Sequence, residues 1–157
     1  MTYDVDICRL SEAFFSAYPA SAYPEIMRKE CRPHSCLMIE THEDYLICIP
    51  FRSSIRHNIA FLFENTNRST RTRSGLDYKK TVLIQNPSYI DSSAPLLDND
   101  EYISMIKNID RIVWDIHNYI EKYVNHVNGT HPLHEREYAR RYQYSTLPYF
   151  HDILRLP

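Results

Sequence analysis

The sequence predicts an α+β domain with a mostly antiparallel sheet, and three observations lead there. Two apolar stretches, SCLMIE at 35–40 and YLICIPF at 45–51, flank the polar turn THED and read as a hairpin. Apolar side chains then recur at helical spacing from Tyr102 to Val127. A chain of 157 residues can bury one substantial core and is short for two, so residues 1–157 are read as a single domain.

Taken in order, TYDVDIC at 2–8 alternates with period two and predicts a first strand. Ser11 is placed to cap a short helix through residues 13–17, which Tyr18-Pro19 ends. After the hairpin, strands are expected at 59–63 and 80–84, with Pro87 and residues 91–95 as punctuation. DNDE at 98–101 resembles a capping box. Apolar residues at 102, 106, 109, 113, 116, 120, 124 and 127 then predict one long amphipathic helix, closed at Asn128-Gly129. A second, basic helix is expected over 133–144, and 148–157 carries no clear period. The two glycines, Gly75 and Gly129, are each expected to mark a turn or a helix end.

Composition removes several function classes. No apolar run approaches a membrane span and no leader-like opening is visible, so a soluble, cytoplasmic protein without a membrane partner is expected. Cysteines at 8, 31, 36 and 48 form no C-x-x-C pair and are read as free buried thiols. CRPHSC at 31–36 has the look of a zinc half-site without its second half, so neither metal nor another cofactor is expected.

Charge is distributed unevenly. Between Arg52 and Lys80 seven basic residues face two acids, a net +5 on a chain whose total is -2. That asymmetry suits a protein that grips a polyanion on one side. NRSTRTRSG at 67–75 alternates arginine with short hydroxyl residues, a composition suited to successive phosphates, although a solvated loop has the same composition. The RNA-contacting candidates are Arg52, Arg56, Arg68, Arg71, Arg73, Lys79 and Lys80, with Tyr78 among them. The tail REYARRYQY at 136–144 interleaves arginine with tyrosine, which suits unstacked bases.

The apolar stretch at 45–51 runs directly into RSSIRH at 52–57. Side chains at the end of a core strand are held firmly yet stand at a rim that a substrate can reach. There Ser53 and Ser54 can hydrogen-bond phosphate oxygens, Arg56 can neutralise charge on phosphorus, and His57 can move protons near neutral pH. If the substrate is RNA, its own 2′-hydroxyl serves as nucleophile. The plainer alternative makes the serines turn caps and His57 a packed histidine.

Four blocks in order carry a resemblance: CRPHSCLMIE at 31–40, YLICIPFRSSIRH at 45–57, RSGLDYKKTVLI at 73–84, and the long helix that begins at Tyr102. Over roughly residues 1–128 the chain resembles the toxins of type III toxin–antitoxin systems, the ToxN/AbiQ endoribonuclease superfamily, in its TenpIN-like branch. The resemblance implies an SH3-like, strongly twisted sheet similar to MazF-type toxins. It implies metal-independent RNA cleavage that leaves a 2′,3′-cyclic phosphate and a 5′-hydroxyl. It also implies a tandem-repeat pseudoknot RNA antitoxin that the toxin cuts, often within a closed protein–RNA ring, besides cellular RNA substrates. By this resemblance Pro50, Ser53 and His57 match the active-site rim, with Ser54 beside them, and Arg32 or Lys29 supplies a basic residue before the preceding strand. Two positions depart from it. Lys107 stands where relatives carry a helical tyrosine, and Leu10, with Tyr3 earlier, where they place an N-terminal one. Two other readings fit the same residues: an RNA-binding module without chemistry, and a MazF-like toxin held by a protein antitoxin.

Overall fold

The computed structural model describes residues 4–28, 35–91, 93 and 97–157. Seven short strands are found among these residues: β1 (Val5–Leu10), β2 (Ser35–Glu40), β3 (Leu46–Arg52), β4 (Ala60–Leu62), β5 (Gly75–Asp77), β6 (Val82–Ile84) and β7 (Ile90–Asp91). Helix α1 (Glu12–Ala17) follows β1, and α2 (Asn99–Lys107), α3 (Ile109–Val127) and α4 (Glu135–Tyr142) follow β7. Single 3-10 turns lie at Tyr78–Lys80, Pro87–Tyr89 and Leu147–Phe150. All strand pairs are antiparallel, in the order β4-β5-β3-β2-β1-β7, with β6 paired to β3 beside that path.

The predicted hairpin is the centre of the sheet. Leu37 pairs with Ile49 and Met38 with Cys48 across β2 and β3. Because successive side chains point to opposite faces, the run Ile47, Cys48, Ile49 and Pro50, all buried, means that β3 is covered on both sides. A proline in such a strand needs a place where no ladder bond is lost. On its other edge β3 pairs with β6 up to Cys48 and with β5 from Phe51 onward. Pro50 falls in the gap between them, opposite the turn Tyr78–Lys80 that separates β5 from β6.

Ser11 caps α1 as expected, its side chain accepting from the Phe14 N–H, and Tyr18 ends the helix. Gly129 has φ +75° just beyond α3, the left-handed position that glycine takes cheaply. Gly75 departs from expectation: it lies inside β5, where a Cβ would come 1.9 Å from the Phe61 carbonyl oxygen. It is needed for close approach of β4, not for a turn.

The long helix is two helices. Asn108, with φ −113° and ψ 17°, separates α2 from α3, and its side-chain amide donates to the Ser104 carbonyl at 2.8 Å. Asparagine competes for backbone partners in this way and so interrupts a helix. Asp98 precedes α2 without capping it; its carboxylate faces Arg68 instead. The break shifts the apolar stripe, leaving Tyr102 and Ile106 exposed while Met105 is buried. In α3 the buried face is Ile112, Val113, Ile116, Tyr119, Ile120 and Tyr123.

Beyond the part of the chain that carried the resemblance, residues 135–157 complete the same core. Tyr142, Leu147, Phe150 and Ile153 are buried in it. Tyr142 donates to the Tyr119 carbonyl at 2.7 Å and Tyr119 to Ser145 Oγ at 2.9 Å. The Thr146 N–H donates to the Lys79 carbonyl at 2.9 Å, and its hydroxyl also reaches the Thr81 carbonyl. Cys8, Cys36 and Cys48 are free and buried, and burial pushes the Cys36 thiol well up. Cys31 lies outside the described residues.

Candidate functional site

The chain leaves β3 at Arg52 through a turn in which Ser54 has φ 57°, a left-handed conformation that costs a non-glycine residue about 1–2 kcal/mol. Thr72 holds it there. Its Oγ1 accepts from the Ser54 N–H at 2.9 Å and lies 3.1 Å from Ser54 Oγ. Ile55 is buried behind the turn, its N–H donating to the Arg73 carbonyl at 2.9 Å. Arg73 returns the contact through Nη1 to the Ile55 carbonyl at 3.3 Å, and through Nη2 to Asn58 Oδ1 at 2.8 Å. The basic loop and the strand end, separate in sequence, therefore lie side by side.

Much of the loop's polarity is spent on its own shape. Thr66 and Ser69 bond reciprocally, and the Thr70 hydroxyl donates to the Asn67 carbonyl. The loop is tied to α2 by the Asn67 N–H on Asp100 and by Arg68, which faces Asp98 at 3.3 Å and Glu101 at 3.9 Å. Arg68 Nη1 also donates to Ser53 Oγ at 3.3 Å, which leaves the Ser53 hydroxyl proton available to a further acceptor. Arg56 and Arg71 are exposed, and no side-chain hydrogen bond or ion pair holds either among the described residues.

Asp77, at the end of β5, is fully buried and organises the rim from beneath. Its Oδ2 accepts from Arg52 Nη1 at 2.7 Å, and its Oδ1 accepts from the Lys79 N–H at 3.0 Å. His57 Nε2 stands 3.0 Å from Oδ1, off the line of an ideal hydrogen bond. Burial pushes the Asp77 carboxyl up, but the hydrogen bonds and charges of His57 and Arg52 outweigh it and hold it below the ordinary carboxylate range. His57 Nδ1 accepts from the Ile59 N–H at 3.0 Å, so the neutral imidazole carries its proton on Nε2, toward Asp77. Nδ1 is thus occupied, Nε2 faces the carboxylate without a well-aligned hydrogen bond, and the ring is half-buried.

Several sequence-predicted contacts stand elsewhere. Tyr78 is buried and donates to Asp115 at 3.0 Å; burial pushes its hydroxyl pKa far up. Lys79 is buried too, donates to the Gln143 carbonyl at 3.2 Å, and has its pKa lowered by burial. Neither faces a surface that RNA could reach, because the turn they occupy is the dock for residues 143–146. Lys80 is mostly covered and pairs with Glu25 at 2.8 Å. Lys107 is exposed at the end of α2, and no side-chain contact ties it to the rim among the described residues. Lys29 and Arg32 lie outside the described residues. In the tail, Tyr138 stacks on His126, Tyr142 is buried, and Glu137 takes both Arg140 and Arg141, so Tyr144 is the exposed aromatic of that stretch.

No family model, curated protein or solved structure matches the chain. The site therefore rests on its own geometry. Among the described residues no three histidine, cysteine or carboxylate side chains converge as a metal site would require, and no helix is long and apolar enough to cross a membrane. Sequence reasoning missed Asp77. Its mark was there: one acid in GLDYKK, inside a segment otherwise selected for positive charge.

Proposed function

We propose that the protein is a metal-independent endoribonuclease that cleaves single-stranded RNA at the end of β3, acting as the toxin of a type III toxin–antitoxin system. The observation that carries this reading is the convergence of Arg52 and His57 on the buried Asp77, beside an arginine loop whose Arg68 reaches Ser53. A scissile phosphate at this rim meets the free N–H groups of Arg52 and the free proton of the Ser53 hydroxyl. The RNA 2′-oxygen attacks phosphorus, the 2′-O–P bond forms and the P–O5′ bond breaks. His57 Nδ1 takes the 2′-hydroxyl proton once the substrate displaces the Ile59 N–H, and Asp77 stabilises the imidazolium through Nε2. The departing 5′-oxygen takes its proton from water. The products are a 2′,3′-cyclic phosphate and a 5′-hydroxyl.

The antitoxin RNA, the closed protein–RNA assembly, the cytoplasmic location and an SH3-like, MazF-type twist of the sheet belong to the same proposal and are supported by the sequence resemblance alone. One observation favours a second reading: the Ile59 N–H occupies His57 Nδ1, the nitrogen that would act as base, which suits a module that binds RNA without cutting it. Incubating the protein with mixed-sequence RNA in EDTA, followed by end-group analysis, separates the two. Fragments with cyclic phosphate and 5′-hydroxyl ends are expected. Intact RNA that nonetheless shifts in a gel establishes the binding module instead.

A further inference from the structure

A cleft of about 420 Å³ opens on the other side of Arg52, between the segment that follows α1 and the turn after β5. Ala20, Pro24, Ile26 and Met27 give it an apolar wall, and Arg28, Arg52 and Lys80 bring positive charge against the single carboxylate of Glu25. Two of these cations already have partners: Arg52 holds Asp77 and Lys80 holds Glu25. Arg28 differs. Its guanidinium lies over the Phe15 ring at 5.3 Å, while Nε and Nη2 are buried without a hydrogen-bond partner among the described residues. A buried guanidinium with unmet donors is costly, and the group that meets a planar fork of N–H donors best is a phosphate or carboxylate. The edge of the cleft has a second unusual feature. The Tyr144 carbonyl accepts from Lys80 Nζ at 2.8 Å, and Tyr144 itself is 65% exposed with φ 65°. An exposed aromatic ring held in a strained backbone beside a cationic cleft suits a base face.

We propose that this cleft is a nucleotide subsite of the RNA track, in which Arg28 and Arg52 hold a phosphodiester next to the one that is cut, and the apolar wall takes the attached nucleoside. The inference rests on the ribonuclease reading for the identity of its ligand. Arg52 is shared: it lines the cleft and, through Asp77, adjoins His57. The volume lies within the range of small-ligand sites, so it admits a nucleotide and not a folded helix.

The test uses an uncleavable probe, a 2′-O-methyl oligoribonucleotide, with a mixture of nucleoside 3′-monophosphates and inorganic phosphate as separate arms. Arg28→Ala is expected to weaken oligonucleotide and mononucleotide binding about tenfold, with partial rescue by Arg28→Lys. In the wild-type protein the Arg28 Nε–Hε resonance, assigned through Arg28→Lys, is expected to shift on adding the mononucleotides. That measurement stands even if the alanine variant fails to fold. Binding by inorganic phosphate alone, with no gain from the nucleoside, overturns the nucleotide subsite. So does a folded Arg28→Ala with unchanged affinity, or an Arg28 resonance unmoved at saturation. RNA cleavage with Arg28-independent binding leaves the nuclease reading standing without the subsite. Arg28-dependent binding with no cleavage of natural RNA does the reverse.

Discussion

Asp77 is the residue on which the rim depends, because its buried carboxylate meets Arg52, His57 and the Lys79 N–H together. Breaking a buried pair leaves the partner charge uncompensated, at a cost of about 3–5 kcal/mol. Arg52 remains partly in water, so for Asp77→Asn a loss toward the lower end, about 3 kcal/mol in urea unfolding at neutral pH, is expected. The pH dependence has a definite sign. A carboxyl held below its ordinary value contributes stability that is fully present above about pH 4 and disappears as pH falls through the folded-state value. The wild-type protein should therefore lose stability on acidification in that window, and Asp77→Asn should lose less. Equal acid sensitivity of the two would show that Asp77 is not the coupled group.

The elements show what a sequence can and cannot disclose. The β2–β3 hairpin, the Ser11 cap and the basic helix α4 were legible because each has a local cause: two apolar stretches around a polar turn, a capping hydroxyl, a basic run that follows the break at Pro132. β5 and β7 were not, since GLD offers one apolar side chain between a glycine and an acid, and ID is only two residues long. The break at Asn108 was hidden because the apolar count continues across it while the stripe changes phase. Of the site, Ser53 and His57 were legible as polar residues abutting a core strand. Asp77 and Arg28 were not, since only the pairing of β3 with β5 and the fold-back of residues 20–28 bring them to Arg52. Gly75 provides the element-scale test. Gly75→Ala places a Cβ 1.9 Å from the Phe61 carbonyl, so β4 and β5 must separate. A loss of about 2 kcal/mol or more in thermal or urea unfolding is expected. Near-wild-type stability would mean that the β4–β5 pairing yields easily.

At the scale of the whole molecule, the tail and the charge pattern carry separate consequences. Leu147 is fully buried in the common core, so Leu147→Ala should cost about 2–5 kcal/mol in a single cooperative transition. An independent, earlier transition of the tail would contradict its integration. Arg56 and Arg71, exposed and held by no side-chain partner among the described residues, are free to release counterions on binding RNA. Replacing both with alanine should lower the salt slope of RNA binding by about 0.7 per contact, whereas an unchanged slope assigns them to solvent. The central claim, that the end of β3 cuts RNA with His57 as base over Asp77, is tested most directly by one rate comparison. Single-turnover cleavage of a single-stranded RNA in EDTA is measured for the wild type and for His57→Ala, with melting curves confirming that both are folded. The account predicts cleavage by the wild type and a rate about 10²–10⁴ lower for the variant. Equal rates, or cleavage that appears only when magnesium or zinc is restored, would contradict it.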